Sequence, residues 1–410
     1  MTSKERLLSV WSGNKPDHIP LTTQCFGFKP KEELTWERNG KPVKRWYTKR
    51  LEHIHTLPQN WEVEDDFRRA LTWKQLGIDD IIDISIPWSI NPEAVWEDSI
   101  IPLPNEHDSP VMVRRYTTPS GELRHAVKKT QEESGEGWIV QPDYVPLFED
   151  YNMPRGVEHA VNSPENIPVI RHLYAPPDNN AEEWFNKRMN KIEPFSTENG
   201  FAVQAWACFG MDAVLWLTGV DGAILMAMDN PESFSELCDI VAETDYARAE
   251  LACKNPAVDM IVQRGWYSGT DFWSPDLFKK FVYPGLKEIV DLVHKYDKKF
   301  CYVITTGIET MGKYLINADI DVLAYIDPVQ DSITIETAKE MFCDKITISG
   351  GFNSISLNSM DKAKIEDEVK YLIDELGPTN RFILHPLCSL FPDTPWEGVE
   401  MLIEAWDKCK

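Results

Sequence analysis

The chain has 410 residues, of which 42% are hydrophobic and 26% charged, the composition of a folded globular protein with a sizeable core. Its 66 acidic residues against 42 Lys and Arg give a net charge of −24. No cluster of cations is present, which excludes nucleic acid and an anionic membrane surface as partners. The N-terminus is too polar for a secretory signal, and the eight cysteines are scattered. We therefore expect a cytoplasmic protein with reduced thiols.

Short apolar runs alternate with amphipathic stretches along most of the chain. The predicted strands are 19–24, 81–85, 258–262, 300–304, 322–326, 346–349 and 382–384. The predicted helices are one capped by Ser274, then 307–316, 335–342, 361–376, and one opened by a capping box at Thr394. We expect Pro284 to kink the first of these helices.

Strand–helix repeats at this spacing indicate a parallel sheet, either a TIM (β/α)8 barrel or a doubly wound sheet. No GxGxxG motif follows a strand, which favours the barrel. We predict a single α/β domain over 1–410. Residues from about 95 to 180 interrupt the pattern with a β-hairpin (111–116 and 123–129) and a proline-rich stretch. We interpret this segment as an insertion over one barrel end, serving as a lid or wall.

Active sites of TIM barrels lie at the C-terminal ends of the strands, so polar or aromatic side chains just after each strand are candidates. These are Arg264, Trp266, Tyr267, Asp271, Thr305, Thr306, Glu309, Asp327, Asn353, His385 and Cys388. His385 and Cys388 form an HxxC pattern that suits zinc, or else a structural histidine beside a buried thiol.

The other candidates each have two interpretations. Three carboxylates are either catalytic acids or metal ligands, or else helix caps and turn residues: Asp271, Glu309 and Asp327. Trp266 and Tyr267 stack on a substrate ring or pack in the core. Arg264 binds a carboxylate, or pairs with a structural acid.

Several segments resemble the uroporphyrinogen decarboxylase superfamily. The start is similar at residues 2–8 (TSKERLL) and 15–20 (KPDHIP), and the centre at 272–278 (FWSPDLF). The C-terminal segments that follow the family's order are 350–353 (GGFN), 374–377 (DELG), 382–386 (FILHP), Cys388 and 392–395 (PDTP). The resemblance implies a TIM barrel with one of two chemistries, porphyrinogen decarboxylation or corrinoid-linked methyl transfer.

The resemblance also bears on the choice between these chemistries. Porphyrinogen decarboxylases carry arginines just after the first strand, where this chain has 22–28 (TTQCFGF). Methyltransferases that act on coenzyme M bind zinc through His-x-Cys and a later cysteine. Cys388 occupies the last position, but Ile304 and Thr306 occupy the first two if Gly307 matches the following glycine. Zinc, if bound, would then need other ligands such as His385 or Glu309.

From these observations we predict a methyltransferase that moves a methyl group from a small methoxylated or N-methylated substrate to cobalamin on a partner corrinoid protein, as in O-demethylases. His385, Glu309 or Asp327 would assist the leaving group, and Cys388 and His385 would hold zinc if it is present. The substrate contacts would come from Arg264, Trp266, Tyr267, Asp271, Thr305, Thr306 and Asn353. A decarboxylase of a small carboxylate or porphyrinogen and a non-catalytic ligand-binding barrel are the alternatives, and the chain would be a monomer or a homodimer.

Overall fold

The computed structural model describes residues 1–28, 33–38, 41–46, 63–102, 109–129, 144–150, 152–387 and 389–410. Within these ranges the strands are β1 (Glu33–Arg38), β2 (Lys41–Trp46), β3 (Ile81–Ser85), β4 (Val95–Ile101), β5 (Val111–Thr118), β6 (Gly121–Lys128), β7 (Gly156–Glu158), β8 (Ala202–Cys208), β9 (Met260–Gln263), β10 (Lys299–Val303), β11 (Val322–Ile326), β12 (Thr347–Asn353) and β13 (Phe382–Leu387).

The helices in the same ranges are α1 (Ser3–Trp11), α2 (Val63–Gln75), α3 (Asn152–Arg155), α4 (Ile167–Leu173), α5 (Asn179–Asn199), α6 (Met211–Thr218), α7 (Val220–Asp229), α8 (Pro231–Cys253), α9 (Pro275–Leu277), α10 (Tyr283–Lys295), α11 (Ile308–Ala318), α12 (Ile335–Phe342), α13 (Ile355–Asn358), α14 (Lys362–Leu376) and α15 (Trp396–Cys409). No single described helix is long and apolar enough to cross a membrane. The pair α6 and α7 reaches that length and apolarity only together, across a bend of 101°.

Seven parallel strands form the central sheet, in the order β13-β12-β11-β10-β9-β8-β3. The segment around Leu21 joins its two edges. Leu21 bridges Leu384 of β13, and its carbonyl accepts a hydrogen bond of 2.8 Å from the Asp79 amide, just before β3. These contacts bring the two edges of the curled sheet together, an arrangement consistent with a TIM barrel. The predicted α/β fold with a parallel sheet is confirmed.

Helix α1 closes the N-terminal end of this ring. Its apolar residues Leu7, Val10 and Trp11 pack against side chains inside the barrel, including Met260 and Val322. The hydroxyl of Thr347, at the start of β12, donates a hydrogen bond of 2.8 Å to the Val10 carbonyl. Access to the interior is therefore from the C-terminal ends of the strands.

A separate antiparallel sheet follows β3 in the chain. It has the order β4-β5-β6-β7, and its central hairpin pairs Val111–Thr118 with Gly121–Lys128. The predicted hairpin is therefore confirmed. Its first strand is two residues longer than expected, and its second strand begins two residues earlier and ends one residue earlier. Whether this segment acts as a lid stays a prediction.

Some predicted helix and strand boundaries agree with the structure, and others differ from it. Strands β3 and β11 and helix α12 have the predicted bounds, and Ser274 caps its helix as expected. In place of a simple kink at Pro284, a π-helical turn (Phe278–Val282) precedes α10, consistent with the missing N–H of proline. The predicted capping box at Thr394 is wrong. Its hydroxyl accepts from the Phe391 amide, and Pro395 is the N-cap of α15.

Arg248 of α8 joins the C-terminal ends of two barrel strands. Its Nε and Nη2 atoms donate to the Ile86 carbonyl at 2.9 and 2.6 Å, and its Nη1 donates to Asp245 at 3.1 Å. Asp245 in turn accepts the amides of Phe209 and Gly210, just after β8, at 2.8 and 2.7 Å. Both charged side chains are fully buried, so the pair fixes the edge of the barrel mouth.

We expect Arg248→Met to lower the free energy of unfolding by about 3–5 kcal/mol, because it removes the positive charge that faces the buried Asp245 carboxylate. Urea unfolding measures this loss. Arg171→Met is the control, since Arg171 forms an ion pair with Glu243 at the surface and its loss is expected to cost less than about 1 kcal/mol. Equal losses in the two variants would contradict this assignment.

Candidate functional site at the barrel mouth

Arg264, the first residue after β9, is held by two carboxylates. Its Nε donates to Asp212 at 2.9 Å, and its Nη2 donates to both oxygens of Asp150 at 2.8 and 2.9 Å. Burial by itself would lower the pKa of Arg264, but the charges of Asp150 and Asp212 raise it above its usual value. The positive charge of Arg264 is therefore already neutralised. Of its two predicted roles, the structure shows pairing with structural acids rather than a guanidinium free to bind a carboxylate.

Asp150 and Asp212 have further partners at the mouth. The Asp150 carboxylate also accepts from the Trp216 indole and the Tyr267 hydroxyl, both at 3.1 Å. Asp212 accepts the Tyr267 amide at 3.0 Å. Burial raises the pKa of Asp212 to about 6, although the nearby Arg264 charge opposes this shift. The side chains of Arg264 and Tyr267 are thus fixed by residues from two other segments of the chain.

Four rings form a row across the interior of the barrel: Trp206, Trp266, Tyr325 and His385. The first two are stacked with centroids 5.9 Å apart, Trp266 and Tyr325 are stacked at 5.8 Å, and Tyr325 meets His385 edge to face at 5.2 Å. The Arg264 guanidinium lies 4.5 Å from the Trp266 ring centroid, a cation–π contact. We call these four residues the aromatic row.

Tyr325 has a backbone conformation that is rare for its residue type. Its φ is +70°, and the pairing of β11 with β12 shifts register between Ala324 and Ile326. This bulge places the Tyr325 hydroxyl against Gln24, to which it donates a hydrogen bond. A residue in the left-handed region costs of order 1 kcal/mol or more, and such strain clusters at functional sites.

His385 lies next to the first barrel segment, and its Nδ1 is 2.8 Å from the Thr22 hydroxyl. Cys388, the other half of the predicted zinc pair, lies outside the described residues. Among the residues that the structure describes, no group of three or more His, Cys, Asp or Glu side chains could hold a metal ion. The described donors therefore do not form a zinc site, and the zinc prediction remains untested.

A cavity of about 60 Å³ lies inside the barrel, next to the aromatic row. A space of this size holds a few water molecules. Its polar lining comes from Thr22, Thr23, Gln24, Asp80, Asp83, Gln204, Ser349 and His385, and its apolar lining from Trp11, Ile81, Trp206, Met260, Val262, Cys301, Val303, Val322, Ala324, Tyr325 and Ile383. We call this space the lumen cavity.

The remaining predicted residues fall into two groups. Asp327 and Asn353 are brought together, with the Asn353 amide donating to Asp327 at 2.7 Å, and Asp327 also accepts the Val329 amide in its turn. Thr305 and Thr306 are buried after β10. In contrast, Asp271 and Glu309 are exposed, and the structure does not join them to the other candidates.

Sequence reasoning missed Asp150, Asp212, Asp83, Trp206 and Tyr325. Only Asp83 could have been recognised, because it is a charged residue among the three isoleucines of the strand 81–85. Asp150 and Asp212 were not recognisable, since they lie 114 and 52 positions from Arg264 and meet it only in the fold.

A closed α/β barrel with its polar site at the strand C-termini is shared by many enzyme families. Residues 212–409, about half of the chain, match the family model described as "Uroporphyrinogen decarboxylase (URO-D)". This C-terminal part of the chain is therefore similar to the uroporphyrinogen decarboxylase family, and the predicted resemblance is confirmed.

Solved structures support the same fold. A structure described as a methyltransferase from Methanosarcina mazei aligns over 100% of this chain and 99% of its own, with a TM-score of 0.55 and 16% identity. The TM-score shows a common fold, and at so low an identity the likeness shows the fold alone. A D-psicose 3-epimerase from Clostridium cellulolyticum H10 (TM-score 0.33, 9% identity, 54% of this chain and 81% of its own) is too distant to add an argument. No curated protein sequence matches the chain significantly.

The pKa of Asp212 makes stability depend on pH. In the folded protein this carboxyl has a pKa of about 6, whereas the ordinary pKa of an aspartate side chain is 3.8. The folded state therefore binds more protons between these values, and the resulting stability is full below about pH 4 and is lost as the pH rises through 6.

We therefore expect Asp212→Asn to be more stable, relative to the wild type, at pH 7.5 than at pH 4, with a difference of about 2 kcal/mol between the two pH values. Urea unfolding at both pH values measures the difference. The exposed Asp276→Asn controls for the loss of one carboxylate. A difference that is the same for both variants would refute the assigned shift.

Proposed function

We propose that this protein transfers a methyl group from a small methyl donor to a corrinoid carried by a partner protein. The observation that carries this proposal is the lining of the lumen cavity. It has hydrogen-bonding groups from Thr22, Gln24 and His385, and no Lys or Arg among its described residues. Such a site suits a small neutral or cationic donor and disfavours a carboxylate.

The charges at the mouth argue against decarboxylation. A substrate carboxylate needs a cation, and Arg264 already binds Asp150 and Asp212. Asp80 and Asp83 line the cavity below and would repel an anion. Nothing in the site therefore favours the decarboxylase alternative, and turnover in the assay below separates methyl transfer from the non-catalytic alternative.

In the proposed reaction the partner's corrinoid supplies the nucleophile that takes the methyl group. The Thr22 hydroxyl fixes the orientation of the His385 ring through Nδ1. His385 then holds a proton on Nε2 for the oxygen or nitrogen atom that leaves. The aromatic row keeps bulk water away from this step, which strengthens the hydrogen bond to the leaving atom.

Exposed apolar side chains beside the mouth support docking of a partner there. Val329 and Ile355, which are 73% and 69% exposed, follow the C-terminal ends of β11 and β12. Leu225 and Met228 on α7 are 61% and 64% exposed. Apolar residues around a concave site are typical of protein interfaces, so we assign this rim to the corrinoid protein.

We expect His385→Asn to slow corrinoid methylation by roughly 100-fold or more, since general-acid assistance contributes at least that factor. The assay follows the absorbance of the corrinoid protein encoded nearest to this gene, with a panel of methoxylated and N-methylated donors. Glu340→Gln, an exposed change on α12, is the control. Glu309→Gln, in the same assay, tests the acid that the sequence suggested as an alternative. Failure of every donor to methylate the corrinoid would end the proposal.

Metal content tests the zinc prediction without a substrate. A zinc site built on Cys388 and His385 would give about one zinc per chain, lost in Cys388→Ala and in His385→Ala. Elemental analysis of protein purified without chelators measures it. A metal-free wild type would remove zinc-activated thiols as methyl acceptors and leave the corrinoid as the acceptor.

A further inference from the structure

The carboxylates that line the lumen cavity define the kind of methyl donor it can hold. Two of the side chains that line it are the carboxylates Asp80 and Asp83, which are 1% exposed. Its described lining includes no Lys or Arg. Carboxylates in so buried a place are costly unless positive charge offsets them.

Asp83 is held in a fixed position by neighbours on the next strand. Its Oδ1 accepts from the Gln204 amide at 2.5 Å and from the Trp206 indole at 3.1 Å. Its Oδ2 accepts no hydrogen bond from any described residue. The Arg69 guanidinium lies 3.6 Å from Oδ2, an ion pair without hydrogen-bond geometry.

Arg69 must also serve two other carboxylates. Its Nη1 is 2.7 Å from Asp66, and its Nε is 3.0 Å from Asp80. Burial raises the pKa of Asp66, against the opposing effect of Arg69, and the charges of Asp83 and Asp80 raise it further. Of the two carboxylates that line the cavity, Asp80 is closer to Arg69 than Asp83 is. One guanidinium cannot neutralise both, so Asp83 retains negative potential that a ligand in the cavity would meet.

Aromatic side chains form another part of the same wall. Trp206 and Tyr325 line the cavity, and Trp206 is hydrogen-bonded to Asp83 itself. A carboxylate combined with aromatic rings is the arrangement that recognises methylated ammonium groups, because the rings and the carboxylate both attract the dispersed positive charge.

We propose that the lumen cavity binds an N-methylated ammonium cation, with Asp83 as its counter-ion and Trp206 and Tyr325 as its aromatic walls. This assignment rests on the proposed function, whose methyl donor it narrows to a cation. In the transfer the carbon–nitrogen bond breaks and its electron pair stays on nitrogen, which leaves as a neutral amine. His385 can donate to this nitrogen only as that electron pair becomes free. The methyl carbon bonds to the electron pair supplied by the reduced corrinoid of the partner.

Calorimetry on the full chain tests this assignment. The probes are the chlorides of methylammonium, trimethylammonium and tetramethylammonium, compared with neutral tert-butanol and with sodium acetate. We expect at least one of the three cations to bind about tenfold or more tightly than tert-butanol, and acetate not to bind. Equal binding of tert-butanol, preferential binding of acetate, or no binding of any cation would overturn the assignment.

Asp83→Asn should weaken cation binding about tenfold or more and leave tert-butanol binding unchanged. Asp331→Asn is the matched control, because Asp331 is also buried but accepts the Gly307 and Ile308 amides at the start of α11. Trp206→Phe is the second variant in case Asp83→Asn does not fold. It should weaken cation binding because Phe is a weaker cation–π partner than Trp and cannot hold Asp83 in position. Unchanged affinity in a folded variant of either kind would refute the assignment.

The two proposals fail in different ways. Cation binding that depends on Asp83, without methylation of any corrinoid, would support the cation site and reject methyl transfer. Methylation from neutral ethers, without cation binding, would support methyl transfer and reject the cation site.

Discussion

The ion pairs of Arg264 with Asp150 and Asp212 set the electrostatics of the barrel mouth. A free guanidinium at this place would attract carboxylates into the barrel, as an anion-binding enzyme requires. Two carboxylates at 2.8–2.9 Å instead leave the group with no positive charge to offer. The same contacts fix Tyr267 and join the 144–150 segment to the barrel, so they determine both the shape and the charge of the entrance.

The interior below this entrance has a polar side and an apolar side. Side chains alternate along each strand, and only every second one points into the barrel. In β3, β8 and β13 the residues lining the cavity include Asp83, Gln204 and His385, whereas in β9 and β10 they include Val262 and Val303. A methyl donor held between them would place its polar atom against one side and its methyl groups against the other.

The elements of the C-terminal half were predictable because each carries its own local signal. Helix α12 begins at its Thr334 cap and ends where its apolar period ends, which the sequence displays directly. Strand β12 was predicted to end at Ser349, because the two glycines that follow suggested a break. In the structure it continues through Gly350 and Gly351, whose φ values of +148° and +88° glycine adopts without strain. A side chain at Gly350 would come within 2.6 Å of the Ile326 carbonyl, a tertiary constraint that local patterning does not contain.

The sequence allowed us to predict where the site residues lie, but not their interactions. The rule that barrel active sites follow the strands selected Arg264, Trp266 and His385, and all three lie at the mouth or beside the lumen cavity. Their chemistry could not be predicted, because it depends on partners far away in the sequence. Thr22 orients His385 across 363 positions, and Asp150 neutralises Arg264 across 114.

Under the proposed function, the aromatic row would separate a small donor in the cavity from a large corrinoid at the mouth. Three members of the row, Trp206, Tyr325 and His385, line the lumen cavity. The fourth, Trp266, contacts Arg264 at the mouth. A donor bound in the cavity is shielded from water, so the charge of Asp83 acts on it at a lower dielectric than at the surface. Under the proposed function the methyl group would still have to reach the mouth. Tyr325 is the member of the row with a left-handed backbone, and its hydroxyl donates a hydrogen bond to Gln24, which lines the same cavity.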